Sequence, residues 1–175
     1  PDFKKMAEYD RTILRYNSHI ITEDPIDKAR AFIISWFMGN DTVSVFEVPV
    51  RNSGVVGGKF QARARLRNPE TGKFFRPIDF YVGAVVRIKG YNFQLDSADD
   101  YTLRLMEEHK GTWNMSDPDA VIASIRTRMR GAGVSPADLF DALDRDDDGV
   151  IDAEELRASF GRKGVEATKQ EIITL

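Results

Sequence analysis

The sequence predicts an α+β protein, in which an antiparallel β-barrel closed by a helix precedes a small all-α module. Residues 11–96 contain five runs rich in β-branched and aromatic residues, separated by turn formers with no helical segment between them, as in antiparallel barrels and sandwiches. Beyond residue 117 the apolar residues recur at helical spacing. Charge divides the chain in a similar way, because residues 1–115 carry 17 Lys and Arg against 15 Asp and Glu, whereas residues 116–175 carry 8 against 13. We therefore expect two modules with different partners.

The β segments are bounded by residues that favour turns. Gly39-Asn40 lies between two strong β segments, which predicts a hairpin. The fourth segment contains QARARLR, which alternates small apolar residues with arginines and predicts an apolar face opposite a basic one. The apolar residues are Ala62, Ala64 and Leu66, and the arginines are Arg63, Arg65 and Arg67. The predicted β segments are 13–20, 30–38, 41–48, 59–67 and 84–95, the last with the turn former Gly90.

The helical part begins with a cap. Ser97 and Asp100 fit a capping box that opens a helix at 101–109, whose apolar stripe is suited to closing the barrel. The further predicted helices are 119–130, 136–144 and 153–163, with the start of another at 167–175. Gly111 to Asp117 is the predicted linker, and the two predicted domains are 1–111 and 112–175.

Composition excludes several classes of site. The 175 residues include no cysteine, so disulfides, thiolate metal sites and cysteine nucleophiles are excluded. His19 and His109 are the only histidines, which argues against a histidine-rich zinc site or a Ser-His-Asp triad. No arrangement pairs a nucleophile with a base, so we expect no enzyme activity and no small-molecule substrate. No apolar run is long enough to span a membrane. The first residue, Pro1, suggests a segment of a longer protein.

One loop carries a metal-binding pattern. Residues 144–155 read DRDDDGVIDAEE, a full match to the EF-hand pattern D-x-[DN]-x-[DN]-G-x5-E. Calcium takes about six to eight oxygen ligands, and a loop of this length can supply them from alternating positions, with Gly149 at the sharp turn. The predicted ligands are the side chains of Asp144, Asp146, Asp148, Asp152 and Glu155 and the backbone carbonyl of Val150. The final glutamate favours calcium, with magnesium as an alternative ion.

The EF-hand module needs a cover for its apolar side. Predicted helices flank the loop, and residues 167–175 look like the start of a second hand. A single helix-loop-helix leaves its apolar face open, and the helix predicted at 119–130 is available to cover that face. The module would then hold one complete calcium loop and the beginning of its partner.

The glycine-rich stretch RNSGVVGGKF, residues 51–60, raises the question of a phosphate site. A P-loop would need glycine where Ser53 stands and a hydroxyl residue where Phe60 stands. The segment that follows is strand-like, so no helix N-terminus would face a phosphate. We therefore interpret these glycines as residues that supply positive φ angles or close backbone packing at the start of a strand.

The sequence resembles the DM-ten domain of ciliary proteins, in the variant of the myoclonin-like, EF-hand-containing proteins of the protofilament ribbon. The matching stretches are DTVSVFE (41–47), RNSG (51–54), GGKF (57–60), Asp79 with YVGA (81–84), and ADDYTL (98–103). The resemblance covers about residues 10–107, and the EF-hand extends it. Ser97 departs from the pattern, since an acidic residue is common there, and the segment from 67 to 80 is shorter than in some relatives.

The resemblance implies a pleckstrin-homology-like β-barrel capped by a C-terminal helix, repeated three times in the family, with EF-hands at the end of the chain. It also implies a non-enzymatic inner component of axonemal doublet microtubules. The expected partners are tubulin and other axonemal doublet proteins, without nucleic acid. The expected location is the cytoplasm, in the cytoskeleton of the cilium or flagellum axoneme.

Tubulin is acidic, so the three arginines of the fourth β segment, Arg63, Arg65 and Arg67, are candidate contacts. The alternative is an ordinary solvated strand face. Two other functions stay open. The chain could be a calcium sensor that recruits a target helix. It could also be a phosphoinositide- or protein-binding adaptor, which is an analogy from the fold.

Overall fold

The structure is a computed structural model that describes residues 2–51, 54, 56–140 and 152–175. The chain divides into two compact units, Pro1–Leu105 and Met106–Leu175. The first unit is built on an antiparallel sheet and the described part of the second is helical, which confirms the predicted α+β class. None of the helices in the described part of the chain combines the length and apolar character that crossing a bilayer requires.

The first unit is organised around six strands. They are β1 (Ile13–Ile20), β2 (Ala31–Phe37), β3 (Thr42–Val48), β4 (Gly58–Ala64), β5 (Val85–Ile88) and β6 (Tyr91–Ala98). All neighbouring strands are antiparallel, and their order in the described sheet is β4-β3-β2-β1-β6-β5. The short helices are α1 (Phe3–Glu8), α2 (Pro25–Lys28) and a 3-10 helix (Pro77–Asp79), and α3 (Asp100–Glu108) follows β6.

The sheet curls into a half-barrel around an aromatic core. Phe32 of β2, Phe60 of β4 and Phe93 of β6 form a mutual cluster, with ring centroids 5.0–5.6 Å apart and edge-to-face geometry. These strands are not neighbours of one another in the sheet order, so the cluster draws the two halves of the sheet together. At the open side, the Lys89 ammonium donates to the Phe60 carbonyl oxygen at 2.7 Å.

A charged group is built into the same cluster. The Arg30 guanidinium donates to both carboxylate oxygens of Glu47, at 2.7 and 3.0 Å, and to Asp27 at 2.6 Å. Its central carbon lies 5.1 Å from the Phe32 ring centroid and 5.7 Å from that of Phe60. Carboxylates bond the edge of the guanidinium and aromatic rings pack against its face, so its positive charge is compensated although the side chain is largely buried.

Several strand predictions need correction. The strand predicted at 59–67 ends at Ala64, and the run 84–95 divides into β5 and β6 at the turn Lys89-Gly90, where both φ angles are positive. The predicted apolar face of QARARLR is not formed, since Ala62 is exposed and Ala64 and Leu66 are half-buried. The reason is that the β3–β4 register shifts twice, which breaks the strict alternation of faces.

The predicted cap at Ser97 is wrong. Ser97 lies within β6, opposite Asn17 of β1, so the strand ladder continues past the predicted cap. Asp99 caps α3 instead, because its carboxylate accepts from the Thr102 amide at 2.7 Å. The Thr102 hydroxyl in turn accepts from the Arg15 amide at 2.9 Å, which joins α3 to the sheet.

The glycine-rich loop has the backbone role that the sequence indicates. Gly54, Gly57 and Gly58 all have positive φ, at 74°, 69° and 109°. A Cβ at Gly57 would lie 3.0 Å from backbone and ring atoms of Pro49. Gly57 therefore combines a left-handed conformation with a close approach to the end of β3, and only glycine satisfies both.

The second unit has a small apolar core. Its described elements are a 3-10 helix (Asn114–Ser116), α4 (Pro118–Gly131), α5 (Pro136–Phe140), α6 (Ala153–Arg162) and α7 (Lys169–Thr174). The core consists of Val121, Ile125 and Met129 of α4 with Phe160, Val165 and Ile172. The α4 residues recur at i, i+4, i+8, so one face of that helix covers the apolar side of α6 and α7, as the sequence suggested.

A partly buried ion pair also joins α4 to α7. The Arg128 guanidinium donates to the Glu171 carboxylate, whose side chain is 12% exposed. Glu171 also accepts from the Thr168 amide at 2.8 Å. Burial raises the pKa of Glu171, but the hydrogen bonds from Arg128 and Thr168 outweigh burial and hold the pKa below its ordinary value.

Replacement of Gly57 by alanine tests the close approach to Pro49. We expect Gly57→Ala to lower the free energy of unfolding by about 2–3 kcal/mol, since the new methyl group meets both an unfavourable φ and a backbone clash. The matched control is Gly72→Ala, because Gly72 has the same φ of 69° with open space around it, and should cost about 1 kcal/mol. Urea unfolding measures both. Equal losses would contradict the packing role.

Replacement of Arg128 tests the ion pair. At neutral pH, Arg128→Met leaves a buried carboxylate without its main donor, so we expect a loss of about 2–3 kcal/mol in the stability of the helical unit. Glu171 has a lowered pKa, so the pair stabilises the fold above the unfolded value of 4.5 and ceases to do so as the pH falls through the folded pKa. The difference from wild type should therefore shrink on acidification.

Denaturant unfolding at a series of pH values measures that difference. The matched control is Arg128→Met in a Glu171→Gln background, where no carboxylate titrates and the cost of losing Arg128 should change little with pH. A penalty for Arg128→Met that stays constant through the acid range would contradict the assignment.

Candidate metal centre and basic surface

Asp152 and Glu155 are the two predicted calcium ligands that the structure describes. They stand at the start of α6, where Asp152 is the N-cap residue. The Asp152 carboxylate accepts from the Glu155 amide at 2.8 Å, and the Glu155 carboxylate accepts from the Asp152 amide at 3.2 Å. This reciprocal capping box brings both carboxylates to one turn at the positive end of a helix.

This turn supplies hard oxygen donors. Among the described residues, each carboxylate uses one oxygen in the capping box, which leaves the other oxygen of each for a cation. Such donors fit Ca²⁺, which prefers carboxylate oxygens. A glutamate at this position can bind with both oxygens if its hydrogen bond to the Asp152 amide is given up.

The remaining predicted ligands lie outside the described residues. Asp144, Asp146, Asp148 and Val150 fall within 141–151, so the ligand set stays a prediction from the sequence. In the part of the chain that the structure describes, no group of three or more His, Asp or Glu side chains is arranged to hold a metal ion. The described part of the site, two of its six predicted ligands, is therefore the helix start that carries Asp152 and Glu155.

The helix on the other side of the predicted loop also starts with a defined cap. The Asp138 carboxylate accepts from the hydroxyl of Ser135 at 2.6 Å and from its amide at 2.8 Å, and the hydroxyl accepts from the Asp138 amide at 3.2 Å. The hydrogen bond from the Ser135 hydroxyl, followed by that from the amide, lowers the pKa of Asp138. These bonds fix where α5 begins, ahead of the predicted loop.

Arg63 is the one candidate contact that lies within a strand. Its guanidinium stacks on the ring of Phe37, with its carbon 3.8 Å from the ring centroid. It also donates to the Thr42 hydroxyl at 2.8 Å and to the Asn40 side-chain oxygen at 2.9 Å. Arg63 is exposed, and these contacts hold its side chain against the β2–β3 hairpin.

Arg65 and Arg67 come after β4 and share a different support. Their guanidinium carbons lie 4.4 and 4.3 Å from the centroid of Phe74. A bridge pairs Arg67 with Phe74, and Arg67 also donates to the Gly72 carbonyl oxygen at 2.8 Å. The structure thus brings Arg65 and Arg67 together and gives Arg63 other contacts, so the prediction of one basic strand face is wrong because the strand ends first.

Arg87 and Lys89 are basic residues that the sequence reasoning did not select. Arg87 lies on β5, and Lys89 occupies the turn to β6. The sequence signal for that turn is Lys89-Gly90, but it does not reveal that β5 lies across an open seam from β4. That placement depends on the sheet order and on the curl.

Comparison with known proteins agrees with these two units. Residues 3–102 match the family described as the DM10 domain, and residues 137–160 match the EF hand. Neither is a catalytic domain. The EF hand implies calcium binding, with Asp152 and Glu155 inside the matched range.

Several longer proteins are similar to the chain. The EF-hand domain-containing family member C2 of Danio rerio is 34% identical over 186 residues, which cover 99% of this chain and 25% of that protein. The EF-hand domain-containing protein 1 of Homo sapiens is 36% identical over 133 residues, covering 74% of this chain and 20% of that protein. The EF-hand domain-containing family member C2 of Bos taurus is 37% identical over 137 residues, which cover 71% of this chain and 19% of that protein.

The chain thus spans a quarter or less of the length of these relatives. The DM10 domain match covers more than half of the chain. The names of the relatives contain the term EF-hand, which is also the description of the family that matches the C-terminal motif. The resemblance drawn from RNSG, GGKF and YVGA is confirmed. The chain belongs to the DM10 domain family and carries an EF hand after that domain.

Proposed function

We propose that this chain is part of a structural, non-enzymatic component of ciliary and flagellar doublet microtubules, a microtubule inner protein that binds tubulin and neighbouring lumen proteins. In this proposal the protein is located in the axoneme, within the cytoskeleton. Its EF hand binds calcium through Asp144, Asp146, Asp148, Val150, Asp152 and Glu155.

The observation that carries the tubulin contact is an exposed set of arginines that have no acidic partner among the described residues. Arg63, Arg65 and Arg67 rest on aromatic rings and donate only to neutral oxygen atoms within the described residues. Their charges are therefore not neutralised by the described residues. Stacking on the rings restricts the three side chains to positions from which they can contact an acidic surface. Membership of the DM10 domain family supports the same proposal, through the ciliary role that the resemblance implies.

The calcium site supports a structural role as readily as a regulatory one. The apolar faces of α4, α6 and α7 are already packed together around Phe160. In the described part of the unit these faces cover one another, which favours a site that stabilises the module over one that exposes a groove for a target helix. We therefore propose that calcium fixes the loop between α5 and α6.

Calorimetric titration of the 175-residue chain tests the calcium site. We expect one Ca²⁺ to bind, and Asp144→Ala and Glu155→Ala each to weaken binding by at least about tenfold, since each removes a charged ligand. Titration with Mg²⁺ alone should give weaker binding, because the final glutamate favours calcium.

The matched control is Glu154→Ala. Glu154 lies beside Glu155 in the first turn of α6, its side chain is 70% exposed, and it faces Arg157 at 4.0 Å. Its removal changes the net charge equally and leaves the predicted ligands in place. Equal weakening by Glu154→Ala would show that only bulk charge matters, and the ligand assignment would then be wrong.

Charge reversal at Arg63 and Arg65 tests the tubulin contact. In a ciliated cell that lacks its own copy, the protein that carries this chain with Arg63→Glu and Arg65→Glu should reach less than about half of normal occupancy in isolated doublets. The reason is that two attractive contacts with an acidic surface become repulsive. Occupancy is measured by quantitative mass spectrometry, and thermal unfolding of the isolated chain is followed in parallel.

Two controls separate charge from stability. Arg63→Met with Arg65→Met removes the same stacking and hydrogen bonds without reversing the charge, so it should reduce occupancy less. Lys4→Glu with Arg11→Glu makes the same change in net charge on exposed residues before β1 and should have no effect. Normal occupancy of the Glu variant, or equal loss in the Lys4 and Arg11 control, would contradict the proposed contact.

A further inference from the structure

The half-barrel leaves an open seam between its two edge strands, β4 and β5. Lys89 bridges the seam at one point by its hydrogen bond to the Phe60 carbonyl oxygen. Beside this bridge lies a cleft of about 490 Å³, with Gln61, Leu66 and Arg67 on the β4 side and Arg87, Ile88 and Lys89 on the β5 side. The cleft is thus part of the sheet edge and not a gap in the core.

The free edge of β5 presents main-chain groups. Ile88 and Tyr91 flank the two-residue turn Lys89-Gly90 and therefore form a hydrogen-bonded pair of the hairpin. Alternation along the strand then turns the N–H and C=O groups of Val85 and Arg87 away from β6, towards the seam. In the described part of the chain, neither residue makes a main-chain hydrogen bond outside the sheet. An extended peptide can satisfy such alternating donors and acceptors.

The charge around the cleft selects the kind of peptide. Residues 59–89 contain eight Lys and Arg against two Asp and Glu. Among the described residues, Arg87 has no ion pair, and Arg67 and Lys89 donate to carbonyl oxygens and not to carboxylates. None of the residues that line the cleft is acidic. The edge therefore repels a basic strand and attracts one that carries carboxylates.

The apolar residues of the cleft add a second requirement. Leu66 is half-buried and Ile88 is 3% exposed, so the floor of the cleft is apolar while its rim is cationic. In a strand, successive side chains point to opposite faces. A peptide that alternates acidic and apolar residues could place carboxylates at the rim and apolar side chains over the floor. A phosphate group would leave both the free carbonyls and the apolar floor unused.

We propose that the cleft between β4 and β5 binds an acidic extended peptide, which adds to the free edge of β5 as a further strand. Arg87, Arg67 and Lys89 pair with its carboxylates, and the main-chain groups of Val85 and Arg87 bond its backbone. The four residues of β5 set the length of the paired segment. This site is separate from the EF hand, and the proposal does not depend on the ciliary role.

The test uses the 175-residue chain and the synthetic peptide acetyl-Glu-Val-Glu-Val-Glu-Val-Glu-amide at low salt. Fluorescence anisotropy gives the affinity, and amide chemical shifts locate the contact. We expect saturable binding that weakens as salt is raised, with the largest shifts at Val85, Arg87 and Gln61. The matched peptide with lysine in place of glutamate should not bind.

Two changes separate strand addition from simple charge attraction. Arg87→Glu should weaken binding by about tenfold, whereas Arg11→Glu, on an exposed residue before β1, should leave it unchanged. Arg87 is exposed and forms no ion pair within the described residues, and the amide spectrum of the free variant verifies that it is folded. Two further peptides carry N-methyl groups on the glutamate amides or on the valine amides. At least one of them should fail to bind, because N-methylation removes the backbone donors facing β5.

Other outcomes overturn the proposal. Absence of binding by the chain at low salt would exclude the site. Equal weakening by Arg87→Glu and Arg11→Glu, or full binding of both N-methylated peptides, would show attraction by net charge without strand addition. Tighter binding of phosphatidylinositol phosphate vesicles or of a single-stranded oligonucleotide, with the same dependence on Arg87, would assign the cleft to another class of ligand.

Discussion

The aromatic cluster of Phe32, Phe60 and Phe93 is the contact on which the first unit depends. It joins strands from both halves of the sheet, and so it gives a six-stranded ribbon its curl. Arg30 packs against two of these rings, those of Phe32 and Phe60, while its charge is met by Glu47 and Asp27. Without this cluster the edges of β4 and β5 would lie apart, and the cationic seam between them would not exist.

The two proposed binding regions use charge in opposite ways. The EF hand gathers carboxylates at the start of α6, where a cation relieves their mutual repulsion and the capping box of Asp152 and Glu155 already orients two of them. The β4–β5 side gathers guanidinium groups that are each stabilised by stacking on Phe37 or Phe74. Asp152 and Glu155 are thus ordered by their own hydrogen bonds, and the three arginines by their ring contacts, before any partner binds, which lowers the entropy cost of binding.

Local patterns in the sequence predicted the structure correctly where residue spacing and turn chemistry alone decided which element forms. The strand at 13–20, the hairpin at Gly39-Asn40 and the cover provided by α4 all follow from residue spacing and turn chemistry. The failures lie where distant residues compete. Ser97 had the signature of a helix cap, but pairing with Asn17 kept it in β6. The alternation in QARARLR was overridden by register shifts against β3, which no pattern within that segment could reveal.

The sequence by itself determined the fold class, the family and the EF-hand pattern, because each depends on residue types at fixed spacing along one stretch of chain. Tertiary structure decided which surfaces those residues share. It separated Arg63 from Arg65 and Arg67, and it placed Arg87 and Lys89 across a seam from β4. The physical reason is that a curled sheet brings together strands that are far apart in sequence, and its curl is set by packing of side chains from several strands at once.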